Sequence, residues 1–116
     1  MIELEKINEE IKSFLKISPL DHNYLFKVDN VIMGCGRINT DGTNKIEFLI
    51  LNQYRGNGYG EILFNELIKE VKRLGYKEIF ITLANDNIKA KRIVEKGKGL
   101  QISSQPGTVK YVIPIV

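Results

Sequence analysis

Apolar positions along the chain change their spacing from segment to segment, and each change marks an element. Ile2 and Leu4 alternate with Glu3 and Glu5, which predicts a short strand. Ile7, Ile11, Phe14 and Leu15 then recur at helical spacing up to Ser18-Pro19, where proline ends a first helix. Tyr24 to Val28 and Val31 to Ile38 are rich in β-branched and aromatic residues. They flank Asp29-Asn30, residue types that tolerate the positive φ of a tight hairpin, so an antiparallel pair is expected.

The Thr40-Asp41-Gly42-Thr43 cluster turns the chain into Lys45 to Leu51, a run apolar enough to predict a central strand covered on both faces. After a glycine-rich turn, Ile62, Leu63, Leu67, Ile68, Val71 and Leu74 mark one face of a helix that Gly75 stops. Glu78 to Leu83 reads as a second buried strand, so Lys45 to Leu83 forms a βαβ unit whose two strands are expected to lie parallel. Asp86 or Asn87 caps a short helix through about Lys96, and Gly97 and Gly99 terminate it. Leu100 to Ser103 and Thr108 to Ile113 form a closing hairpin around Pro106-Gly107. The fold class is therefore α/β, a mixed sheet that is parallel at its centre, antiparallel elsewhere and flanked by helices.

The 116 residues suit one domain, 1–116, with no internal repeat and no linker. No apolar run approaches the roughly 20 residues that cross a bilayer, and the acidic first ten residues do not suit a cationic secretory signal; a cytoplasmic protein without membrane partners is expected. One cysteine, Cys35, and one histidine, His22, are too few for a soft metal site. Cys35 lies in an apolar strand and is expected in the core, whereas His22 is expected at the surface. The net charge of +3 is mild, but about half of the basic residues fall between Lys69 and Lys98, where an anionic ligand would gain from them. Nucleic acid is disfavoured as a partner because the strands lack paired exposed aromatics.

Arg55-Gly56-Asn57-Gly58-Tyr59-Gly60 joins the apolar strand directly to the amphipathic helix. Glycines at every second position let the backbone turn sharply, and the first helical turn offers amides without internal partners at the positive end of the macrodipole. Such a turn attracts phosphate, and Arg55 adds a full charge. A P-loop is excluded because it needs Gly-Lys-Ser/Thr beginning five residues after its first glycine and position 61 is Glu, and the dinucleotide fingerprint fails because its third glycine comes one residue early.

These residues resemble the GNAT superfamily of N-acetyltransferases, whose hallmark is Arg/Gln-x-x-Gly-x-Gly/Ala between the fourth strand and third helix. Gly34 after Val31-Ile32-Met33, the strand Lys45 to Asn52 and Asn87-x-x-Ala90 extend the likeness from about Tyr24 to the C-terminus. The resemblance implies the acyl-CoA N-acyltransferase fold and acetyl-CoA as co-substrate, with its pyrophosphate held by Arg55, Gly56, Asn57, Gly58, Tyr59 and Gly60. It also implies that pantetheine pairs with the backbone of Phe48, Leu49 and Ile50, assisted by Asn87. The implied reaction is direct attack of an amine on the thioester in a ternary complex.

A backbone N–H near Ile50 would stabilise the developing oxyanion, and the resemblance implies Glu47, on the expected fourth strand, as the carboxylate that deprotonates the amine directly or through water. Many family members carry a tyrosine acid seven residues after the asparagine, and this chain has Val94 there. That departure keeps open an alternative, a catalytically degenerate module that binds acetyl-CoA for regulation or assembly.

Overall fold

The computed structural model describes residues 1–8, 21–39 and 42–115. The helix expected between Ile7 and Pro19 and the turn at Thr40-Asp41 fall on or beside residues outside that set. Strand β1 (Ile2–Lys6) pairs antiparallel with β2 (His22–Val28). Strand β2 turns through Asp29 and Asn30, both at positive φ (51° and 67°), into β3 (Val31–Ile38), as the residue types of the hairpin require. Strand β4 (Ile46–Ile50) completes a four-stranded sheet of order β1-β2-β3-β4.

A 3-10 turn at Asn52–Tyr54 and the glycine turn lead into helix α1 (Tyr59–Arg73). Strand β5 (Glu78–Ala84), helix α2 (Ile88–Lys96), β6 (Leu100–Gln105) and β7 (Thr108–Pro114) follow, and the strands form a second sheet of order β5-β7-β6.

The parallel centre expected between β4 and β5 is not formed. Both sheets are antiparallel throughout, and the two strands touch through one parallel bridge, Lys45 with Phe80, where the Phe80 N–H donates to the Asn44 carbonyl at 2.8 Å. Past that bridge they are unpaired. Apolar pattern alone does not reveal this, because it reports which face of a strand is buried and says nothing about which edge is paired.

One face of both sheets carries the core. Ile46 and Ile50 are buried on β4, whereas Glu47 and Leu49 are exposed on its other face, so the strand is covered on one face and not on two. Ile79, Ile81 and Leu83 of β5 face the same core as Val109, Tyr111 and Ile113 of β7. Helix α1 presents Leu63, Phe64, Leu67 and Val71 to it, all almost fully buried. Burying each such side chain stabilises by about 1.5–3 kcal/mol, which is what docks the helix. The docking is close: a Cβ on Gly36 of β3 would lie 2.8 Å from the Leu67 methyls, so the helix seats against bare backbone. The C-terminal end of β4 and the N-terminal end of α1 are thereby fixed relative to each other.

Candidate functional site

Because β4 and β5 separate after the Lys45–Phe80 bridge, one edge of β4 has no strand beside it. Which residues present their peptide groups there follows from the pairing with β3. The Asn39 N–H donates to the Lys45 carbonyl at 2.8 Å and the Leu51 N–H to the Met33 carbonyl at 2.9 Å. These bonds make the odd-numbered positions of β4 the hydrogen-bonded ones against β3, and antiparallel alternation turns the peptide groups of Phe48 and Ile50 toward the open edge. Leu49, the middle residue of the expected trio, spends its peptide groups on Cys35 of β3.

The turn after β4 is built by two glycines at positive φ, Gly56 (84°) and Gly58 (80°). Gly58 is the N-cap of α1 in the left-handed conformation and has no side chain to cap the helix, so the first-turn amides have no side-chain cap. Gly60 serves differently: a Cβ there would meet Ile93 Cδ1 of α2 at 3.2 Å, so this glycine lets the two helices approach. The Arg55 Nε donates to the Ile50 carbonyl at 2.8 Å, tying the turn to the end of β4. The Asn57 Nδ2 donates back to the carbonyls of Tyr54 and Arg55, each at 3.3 Å.

These pieces enclose a cavity of about 570 Å³ between β4, the start of α1 and α2. Phe48, Leu49, Ile50, Arg55, Gly56, Gly58, Tyr59, Gly60 and Asn87 all line it. Asn57 does not, since its amide is spent within the turn. The Asn87 Oδ1 accepts from the Ala90 N–H at 3.3 Å, so the residue caps α2 as well as lining the cavity. Tyr54, Leu83, Lys89, Arg92 and Ile93 line it too and were not singled out from sequence. Lys89 and Arg92 carried one usable signal, their own i,i+3 spacing on the helix that Asn87 caps.

Glu47 lies outside the cavity, on the exposed face of β4. The Arg37 Nη2 donates to it at 2.5 Å, and Arg37 also stands 3.9 Å from Asp21. Cys35 is exposed beside this group instead of in the core, because its side chain points to the uncovered face of β3. Its thiol is pushed above its ordinary value, chiefly by partial burial and secondarily by the Glu47 charge. Val94 is fully buried and does not line the cavity. Among the described residues no helix is long and apolar enough to cross a membrane, and no His, Cys, Asp and Glu cluster fits a metal ion.

Two splayed sheets with a glycine turn at the mouth of the cleft define an α/β protein of the acyltransferase type. The same architecture occurs in spermidine N-acetyltransferase from Vibrio cholerae (TM-score 0.83, 11% identity, covering 97% of this chain and 93% of that one). It occurs also in the N-acetyltransferase PseH from Campylobacter jejuni, solved with acetyl coenzyme A (TM-score 0.78, 16% identity, 100% of both chains). A GNAT-family acetyltransferase from Streptococcus pneumoniae matches with a TM-score of 0.77 and 21% identity over 93% of this chain and 76% of that one. Residues 3–100 match the acetyltransferase (GNAT) family, and the chain belongs to it. A search of curated proteins finds no match.

Proposed function

We propose that the protein transfers an acetyl group from acetyl-CoA to an amine in a ternary complex, with no covalent enzyme intermediate. The observation that carries this reading is the convergence of the uncapped α1 amides, the open peptide edge of β4 and Asn87 on one cavity of about 570 Å³. The residues suit the ligand: amides at a helix N-terminus hold a diphosphate, and a strand edge pairs with the amides of a pantetheine arm. The Ile50 N–H, directed to the open edge, stabilises the negative charge that develops on the thioester oxygen.

In the proposed step the amine nitrogen forms its bond to the thioester carbonyl carbon while the carbon–sulfur bond breaks. Glu47, which lies outside the cavity, takes the amine proton through water, and solvent protonates the departing thiolate. Acetyl-CoA is an intracellular metabolite, so the reading carries a cytoplasmic location.

Thermal-shift titration with acetyl-CoA, CoA, NAD and ATP tests the ligand, and thiol release over an amine panel tests the chemistry. Selective stabilisation by the two CoA species, of about 2.7 kcal/mol at a hundredfold excess over Kd, is expected. The absence of any response to CoA species overturns the reading. The buried Val94 and the engagement of Glu47 by Arg37 favour a second reading, a module that binds acetyl-CoA without transfer. Measurable turnover with any amine eliminates it.

A further inference from the structure

Leu25, Cys35 and Leu49 stand directly opposite one another on β2, β3 and β4. They share the face of the first sheet that carries no core: Leu49 is 47% exposed, Cys35 is exposed, and Leu25 is half-buried without joining the common core. At the usual strand spacing they make an uncharged row about 10 Å long. Leu49 also lines the cavity, and Glu47 is the next outward position along β4. The row therefore begins at the cleft proposed to hold the thioester and runs beside the carboxylate proposed to take the amine proton.

The charges that border the row are engaged with one another. On one side Arg37 binds Glu47 and stands 3.9 Å from Asp21, and on the other Lys27 binds Glu5 and lies opposite Glu3. A second ammonium group laid along the row would meet, at either side, carboxylates that already hold a cation. The attacking amine must be neutral, and an apolar surface penalises the charged form of an amine. We infer that the Leu25–Cys35–Leu49 row seats the body of the acceptor, and that the acceptor is a primary amine carried on an alkyl chain or aromatic ring with no second charge. The inference rests on the acetyl-transfer reading and adds the class of amine that is acetylated. The row stays half exposed, so a methylene laid on it gains about half of the full-burial value, which is roughly a twofold lower KM per methylene. Such contacts are equal in the ground and transition states and leave kcat alone.

Thiol release at saturating acetyl-CoA with ethylamine, butylamine, hexylamine and 1,6-diaminohexane tests it on the full chain. From ethylamine to hexylamine KM is expected to fall by about tenfold at constant kcat, and hexylamine is expected to outperform the diamine of equal length. Cys35→Asp, which sets a charge in the middle of the row, flattens the series, while Ile102→Asp, at an exposed apolar position on β6, keeps it. A second measurement needs no turnover and no variant: with acetyl-CoA present, hexylamine should slow alkylation of Cys35 by iodoacetamide several-fold more than 1,6-diaminohexane does. A flat series, or a diamine preferred over hexylamine, overturns the apolar seat and leaves the acetyl-transfer reading standing. Protection of Cys35 by hexylamine without thiol release from any amine supports the seat and overturns transfer. Binding of CoA species with neither protection nor thiol release overturns both the seat and transfer.

Discussion

Single residues decide whether the turn can hold an anion. Gly58 occupies a left-handed conformation with open space around its Cα, so replacement by valine meets backbone strain and not a clash. That strain is about 1–2 kcal/mol, and relieving it re-aims the amides that follow. Gly58→Val is accordingly expected to melt lower by that amount in urea titration and to lose acetyl-CoA affinity by tenfold or more, whereas Gly56→Val, earlier in the turn, loses stability with a smaller loss of affinity. Cys35 offers an independent check of side-chain placement. It is exposed, but its raised pKa keeps it a thiol at neutral pH, so it should be modified by a thiol reagent completely yet more slowly than free cysteine. Glu47→Gln removes one cause of the shift and should speed that modification; an unchanged rate would separate the two residues. At this scale the sequence was legible where local chemistry rules, as in Asn87 capping α2 and the two residues of the β2–β3 hairpin. Cys35 was misplaced because an apolar neighbourhood in sequence does not tell which side of a half-covered sheet a side chain takes.

Elements came through where their periodicity is long. Helix α1 was expected on the apolar face from Ile62 to Leu74 and spans Tyr59–Arg73, and the closing hairpin was expected around the Pro106-Gly107 turn that it contains. The reading of β4 failed in one respect, because a short apolar run fits a strand buried on one face as readily as on two. Two measurements probe how α1 is seated. Gly36→Ala forces a methyl into the Leu67 side chain and is expected to destabilise by about 1–3 kcal/mol without removing any ligand contact. Near the other end of α1, the Arg73 guanidinium, aided by the Tyr24 hydroxyl, holds the Glu70 carboxyl below the usual range against the opposing effect of partial burial. A carboxyl lowered on folding stabilises at pH above its unfolded value and loses that contribution as pH falls through its native value. Glu70→Gln should therefore be less stable than the wild type in urea at pH 7, with the difference closing at pH about 2.

For the whole molecule, composition and element order gave an α/β domain, and the chain's match to its family runs over residues 3–100. What they did not give was the gap between the sheets, because strand separation depends on contacts between segments more than thirty residues apart, Lys45 with Phe80. That gap makes the cavity possible, and it leaves the amides of Phe48 and Ile50 without a neighbouring strand. Amide hydrogen exchange checks this directly. Without ligand, Phe48 and Ile50 should exchange faster than Glu47 and Leu49, and addition of acetyl-CoA should slow the first pair while leaving the second unchanged.

A molecule whose two sheets share one backbone stitch at Lys45–Phe80 is a clasp left ajar. An arm lying along β4 would stand in for the strand that is missing there, and so act as a rivet between the halves. The empty protein should then open first at that seam while the common core still holds the sheets together, and the loaded protein should give way all at once.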